Sequence, residues 1–495
     1  MNILTVASEG EPFVKTGGLA DVFGSLPSAL ASFKSLNAYS VVQVLPKYSQ
    51  IAEKKVPMEL LPGRLQVPVG KKIEEGAVWR LKQKKKKGSK NIVYYFIENN
   101  KYFHRSNLYQ DEFGDFEDND ERFIFLSKAL FELAKQIGFK PDILHCHDWQ
   151  TGMVPAYLKT LYANDPFFSK TKTVFTIHNI AYQGLFPKET FNLTGLGWEE
   201  FVSEKCEYYG KVSFLKAGIV YADKVTTVSP TYAKEIRQDH HFGRGMEGIL
   251  NTRASDLVGI LNGLDYNLWD PAKDPFICKN YSLKIRNFLD HKMRCKEDLQ
   301  KNFKLPQKKS VPLIGIVSRL DPQKGLHRLE KIVMDLRKKG SFQWALLGVG
   351  DKKIQQSLHL LAKKFPKEFA VHFNFSPELA HKIYAGSDFF LMPSEFEPCG
   401  LSQMISMKYG TSPIATPTGG LLDSVKEWDP ASKEGNGFLA KEISNEAIEA
   451  EILRAAAIYR NKKQWGQLVK NAMKEDFSWG ASAKKYAELF ENVVK

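Results

Sequence analysis

A chain of 495 residues that is 43% apolar and 25% charged has room for two or three domains and an ordinary globular composition, which excludes a disordered or fibrous chain. The 70 Lys and Arg against 56 Asp and Glu leave a formal charge of +14, which suits a polyanion, a membrane surface or a small anionic substrate equally well. Five scattered cysteines, Cys146, Cys206, Cys278, Cys295 and Cys399, include no CxxC pair. Neither a disulfide framework nor a structural zinc site is therefore expected, and a reducing cytoplasm fits best.

In chain order, residues 1–8 carry no basic leader and run into a Gly-rich loop, so they read as a first strand and not as a signal peptide. No apolar run reaches the ~18 residues of a membrane span. Short β-branched runs at 3–7, 41–45, 92–97, 143–145, 173–177 and 224–228 alternate with longer helical patterns, the mark of a parallel sheet covered by helices. The pattern restarts at 312–318, 344–348, 370–373, 389–392 and 412–415, which predicts an α/β chain of two Rossmann-type domains. The boundary is expected at 262–275, where turn formers cluster after a strand at 258–261. Near the end, Ala483, Tyr486, Ala487, Phe490 and Val494 share one helical face that must pack on something. Six lysines within residues 82–90, between two expected strands, read as a solvated hairpin tip, with polyanion binding as the alternative.

The loops after these strands hold the chemistry. Lys15-Thr16-Gly17-Gly18 leads from strand one into a helix, where paired glycines let backbone N–H groups approach an anion and the helix dipole assists. It is not GxGxxG, so dinucleotide binding is not indicated. His145-Cys146-His147-Asp148 and His178-Asn179 end successive strands, where open α/β sheets place ligands. A structural or sugar-binding role suits them better than a metal. In the second half, Arg319 and Lys324 share one loop and can both address a diphosphate, the Arg as a fork and the Lys as a point charge. Gly348-Val349-Gly350-Asp351, Pro393 to Leu401 and Thr418-Gly419-Gly420 complete the set of strand-end loops.

The motifs KTGGLADV, HDW, TIHNIAYQG, FLKAGIVYAD, TTVSPTYAKEI, LNGLD, VSRLDPQKG, FEPCGL, YGTSPI, TGGLLDSV and DFSW follow one another as they do in bacterial glycogen synthases and plant starch synthases. The chain resembles that family from residue 2 to about residue 490. The resemblance implies a GT-B fold of two Rossmann-like domains facing across a cleft. It assigns residues 1–262 to an acceptor-side domain, 263–475 to a nucleotide-sugar domain and 476–495 to a helix crossing back onto the first. It also implies retaining transfer of glucose from ADP-glucose to the non-reducing end of an α-1,4-glucan in the cytoplasm, without a metal or other cofactor, and with no nucleic-acid or membrane partner.

Carried over position by position, Arg319 and Lys324 match the pair that binds the leaving diphosphate. Gly18 matches a backbone donor to the distal phosphate, in the same loop as Lys15 and Gly17. His178 and Glu397 match the residues on either side of the transferred glucose. Asp148, Asn262, Cys399, Gly400 and Leu401 match further sugar contacts, and Asp21 and Tyr109 line the acceptor-side wall. This chain departs from the family at three points: Glu395 stands where Arg is usual, Asn374-Phe375 replaces Gly-Tyr at the adenine side, and Ser402 replaces Thr. UDP-glucose therefore stays open as the alternative donor, and a weakened glucan- or nucleotide-binding regulator as the alternative function. Retention of Arg319, Lys324, His178, Asp148 and Glu397 favours an active enzyme. The family's usual front-face route, with Glu397 orienting or stabilising charge, is preferred to a double displacement.

Overall fold

The computed structural model describes residues 1–33, 39–82 and 92–495. Of the lysine run at 82–90, Lys82 alone is among them, so the expected hairpin tip lies outside the described residues. The chain divides into two compact units, Met1–Gly263 with Trp479–Lys495, and Leu264–Ser478.

The strands of the first unit are β1 (Asn2–Val6), β2 (Ser40–Pro46), β3 (Met58–Leu60), β4 (Leu65–Val69), β5 (Lys72–Leu81), β6 (Ile92–Glu98), β7 (Ile143–His147), β8 (Lys172–Ile177), β9 (Leu185–Phe186), β10 (Glu207–Tyr208), β11 (Lys211–Ser213), β12 (Lys224–Thr227) and β13 (Leu257–Gly259). Its main sheet runs β13-β12-β8-β7-β1-β2-β6-β5-β3, with β4 also on β5. From β13 to β6 every pairing is parallel, and these strands are nearly continuous apolar runs because both faces are covered. β5 pairs antiparallel with β6 as the two strands expected on either side of the lysine run, and β3 and β4, which were not expected, extend the sheet by pairing antiparallel with β5. β4 alternates buried Leu65, Val67 and Val69 with exposed Gln66 and Pro68. A one-sided strand of this kind lacks the apolar continuity of the parallel ones. The small sheet β10-β11-β9 was likewise unexpected, being built of runs of two or three residues.

The final helix, Trp479–Val494, belongs to this first unit. Trp479, Ala483, Tyr486 and Phe490 enter one apolar cluster with Val22, Leu26 and Leu30 of helix Gly18–Leu30 and with Ile3 and Ile143 of the sheet. The buried face is turned slightly from the expected one. Trp479 and Ser482 are buried and Val494 is not, and Ser482 Oγ donates to the Leu261 carbonyl at 2.6 Å. Full burial of each large side chain contributes about 1.5–3 kcal/mol, enough to hold a four-turn helix against the sheet.

The second unit contains β14 (Leu313–Val317), β15 (Gln343–Leu347), β16 (Phe369–His372), β17 (Phe389–Met392), β18 (Ser412–Ala415) and β19 (Phe438–Leu439). They pair in parallel in the order β16-β15-β14-β17-β18-β19. β14 and β17 are adjacent, so the loops that follow them emerge side by side at the carboxyl edge of the sheet.

Candidate active site

In the first unit the carboxyl ends of neighbouring strands gather residues far apart in sequence. The Gly-rich loop follows β1, Asp148 follows β7, His178 follows β8 and Asn262 follows β13. Asp148 turns the chain with φ of +55°, a left-handed conformation that costs a non-glycine residue energy. The turn lets its carboxylate accept the His178 backbone N–H at 2.7 Å. Burial pushes the Asp148 pKa up to about 7, against the pull of the His178 and Asn179 backbone amides. The His178 ring shares a hydrogen bond with His147 (Nε2 to Nδ1, 3.0 Å), and His147 Nε2 in turn meets Thr5 Oγ1 at 3.2 Å. His178 is thereby held from both backbone and ring. Asn262 is buried with its Oδ1 unpartnered among the described residues, so it has capacity to accept from a ligand hydroxyl.

The Gly-rich loop is organised by a residue that motif reading passed over. The Glu9 carboxylate, almost fully buried, accepts from Thr16 N, from Thr16 Oγ1 at 3.0 Å and from Gly17 N at 3.2 Å, and so shapes the loop just before helix Gly18–Leu30. Gly17 is extended at φ −150°, and the helix begins at Gly18. Lys15 Nζ bonds Asp21 at 2.7 Å and reaches Glu11 at 3.5 Å. Burial pulls the Lys15 pKa down, but the two carboxylates outweigh it and raise it. Tyr109 joins the same edge through a 2.7 Å hydrogen bond between its hydroxyl and Ser8 Oγ.

Three buried neutral histidines make this edge acid-sensitive. Burial, and next the His178 charge, lower His145 to about 3; burial lowers His178 to about 3 and, with the His145 and His178 charges, holds His147 well below its usual value. An unfolded histidine takes up a proton near pH 6.5 while His145 and His178 refuse it until about pH 3, so their stabilising term is full above pH 6.5 and is lost as pH falls. Asp148 acts in the opposite sense, because its raised pKa costs stability as pH rises from about 4 to about 7. Melting temperature should therefore fall between pH 6.5 and 5 less steeply in His145→Gln than in the parent; equal slopes would show that His145 stays protonatable in the fold.

In the second unit Ser318, Arg319, Lys324, Ser394, Glu397, Gly400, Leu401 and Ser402 line a pocket of about 160 Å³. Lys324 Nζ donates to both Glu397 oxygens, at 2.8 and 2.7 Å, and Ser394 Oγ adds a bond to Oε2 at 3.0 Å. Asp321 caps the turn, accepting Lys324 N at 3.2 Å through Oδ1, while its Oδ2 lies 3.4 Å from Arg319 Nη2. Arg319 is 55% exposed in its side chain and Glu397 only 6%, so the guanidinium stands at the mouth and the carboxylate at the base. Gly325 has φ of +68°, and a Cβ there would overlap the Pro393 carbonyl oxygen, so glycine is required where the two loops touch. Gln323 ties them further, its Nε2 donating to Phe396 O at 3.0 Å and its carbonyl accepting Glu395 N at 2.9 Å. Neither Gln323 nor Glu9 has a local sequence signal, since each acts through partners set by the fold.

The other expected residues sort plainly. Cys399 is buried behind the pocket, where its carbonyl and that of Gly400 accept the Gln403 amide at 3.0 and 2.9 Å. Ser402 Oγ accepts from Tyr384 OH at 3.0 Å. Phe375 is not brought into this pocket: it follows β16, two strands from β14, and is 85% exposed. The unusual Glu395 faces Arg328, whose Nε and Nη2 reach it at 2.7 and 2.6 Å, and it is absent from the pocket lining.

Two Rossmann-like α/β units with strand-end loops of this kind define a GT-B glycosyltransferase. Sucrose-phosphate synthase from Thermosynechococcus elongatus shares the fold at TM-score 0.59 and 16% identity, over 99% of this chain and 98% of that one. Residues 2–252 match the starch synthase catalytic domain, and residues 297–472 match glycosyl transferases group 1. The chain is 47% identical to a glycogen synthase of Elusimicrobium minutum over 100% of both, and 44% identical to one of Desulforudis audaxviator over 100% of this chain and 97% of that one. The catalytic domain of starch synthase IV from Arabidopsis thaliana, bound to ADP and acarbose, matches at TM-score 0.88 and 33% identity over 99% of both chains. The chain belongs to the glycogen synthase and starch synthase family of glycosyltransferases, and the relatives support that function over its full length.

Proposed function

We propose that this protein transfers glucose from ADP-glucose to the non-reducing 4-OH of an α-1,4-glucan with retention, in the cytoplasm. In this reading residues 1–262 and the terminal helix 476–495 serve the acceptor side and residues 263–475 hold the nucleotide sugar. The observation that carries it is the pocket in which Arg319, Lys324 and Glu397 converge. Without ligand the Lys324 charge rests on Glu397. A donor diphosphate competes for it, and as the anomeric C–O bond lengthens the growing negative charge on the leaving group draws Lys324 and Arg319 while Glu397 faces the growing positive charge on glucose. Asp148, by holding the His178 backbone N–H, fixes the His178 ring as the group offered to a sugar in the first unit. The ADP and acarbose bound by the Arabidopsis relative support a nucleotide and a glucan as ligands here.

ADP-glucose is favoured over UDP-glucose because Glu395, the departure with the largest change of charge, is engaged by Arg328. A side-by-side assay on glycogen tests both donors. ADP release should exceed UDP release at least tenfold in kcat/KM. UDP release in excess would reverse the donor assignment, and absence of both products would leave a binding regulator.

A further inference from the structure

Away from the site, two thiols lie within reach of each other. Cys278 sits in the segment 264–287 that leads from the first unit to helix Phe288–Asn302, and Cys295 lies on that helix with its Sγ 3.9 Å from Cys278 Sγ. Cys278 is exposed and Cys295 is buried. The backbone on both sides is fastened. Asn280 Nδ2 donates to Pro271 O and Asp274 O at 3.2 and 2.8 Å, and Asp274 accepts from Tyr409 OH at 2.5 Å and meets His381 Nδ1 at 2.6 Å. On the helix, Lys296 pairs with Asp388 at 2.6 Å. The sulfurs are therefore neighbours in a fastened frame, to which Cys295 adds a hydrogen bond from its Sγ to the Lys279 carbonyl at 3.3 Å, and a disulfide of about 2.05 Å needs an approach of about 1.9 Å.

We propose that Cys278 and Cys295 form a redox-closable dithiol that reacts with a low-molecular-weight disulfide such as oxidised glutathione. The exposed Cys278 thiolate attacks one glutathione sulfur, forming a mixed disulfide and releasing one reduced glutathione. The Cys295 thiolate then attacks Cys278 Sγ, breaking the mixed disulfide and releasing the second. The protein loses two electrons and two protons, and one oxidised glutathione becomes two reduced ones. The product ties the segment ahead of the helix to the helix itself. The order of attack follows from access, since Cys278 alone of the pair meets solvent. Burial raises both thiols, Cys295 to about 12, so closure is faster in mild alkali.

The test incubates the full chain with oxidised glutathione at pH 8.5 and maps unreduced peptides. A Cys278–Cys295 cross-link, a fall from five titratable thiols to three in denaturant and full recovery with dithiothreitol are expected, and the melting temperature should rise on oxidation in the parent but not in Cys295→Ser. Five thiols retained, or glutathione on Cys278 with Cys295 still free, would overturn the proposal.

Discussion

Lys324→Ala is expected to lower kcat on ADP-glucose by about 10²- to 10³-fold, the usual effect of removing one charge-assisted contact to developing negative charge. Its Nζ is the group closest to the base of the pocket that can leave Glu397 for a diphosphate, and its position is set by the Asp321 cap and by the Gly325 contact with Pro393 rather than by the ammonium itself. The backbone of the loop should therefore survive the change. Truncation also strips the buried Glu397 carboxylate of its ion-pair partner, leaving Ser394 as its remaining side-chain donor, so a modest fall in melting temperature should accompany the kinetic loss. The kinetic effect belongs in kcat more than in KM because the contact strengthens as the diphosphate departs. Turnover within a few-fold of the parent would remove Lys324 from the mechanism.

Glu397→Gln should give a loss of similar size with a different signature. Glutamine keeps the shape and can still accept from Lys324 and Ser394, so the fold should hold, but the negative charge facing the glucose is gone. At the same time Lys324 is no longer neutralised, so ADP should bind more tightly while kcat falls about 10²-fold. Weaker ADP binding would contradict the competition between Glu397 and the diphosphate for one ammonium. The two side chains touch at 2.7 Å, so the effects of Lys324→Ala and Glu397→Gln should combine to less than their product.

The parallel strands were legible because burial on both faces leaves a plain run of β-branched residues, and all but the two-residue β19 were expected within about two residues of where they lie. The antiparallel additions β3 and β4 were not, because short one-sided strands such as β4, with exposed Gln66 and Pro68 between its buried residues, lack that continuity. At the site, residues on loops directly after strands could be read from motifs, and the structure gathers Arg319, Lys324 and Glu397 into one pocket because β14 and β17 are neighbours. What sequence could not supply were contacts between residues far apart in the chain: Thr5 to His147 to His178, Glu9 to its loop, and Glu395 to Arg328. Phe375 shows the converse: the family resemblance sets it on the adenine side, yet it follows β16, two strands from β14, and is not among the residues lining this pocket.

The proposed mechanism requires the donor diphosphate to sit in the pocket between the β14 and β17 loops. A crystal structure of the ADP complex tests it most directly. Diphosphate oxygens are expected within hydrogen-bonding distance of both Lys324 Nζ and the Arg319 guanidinium, with the Lys324 to Glu397 contact lengthened. ADP bound elsewhere, with that ion pair intact and the pocket empty, would contradict it.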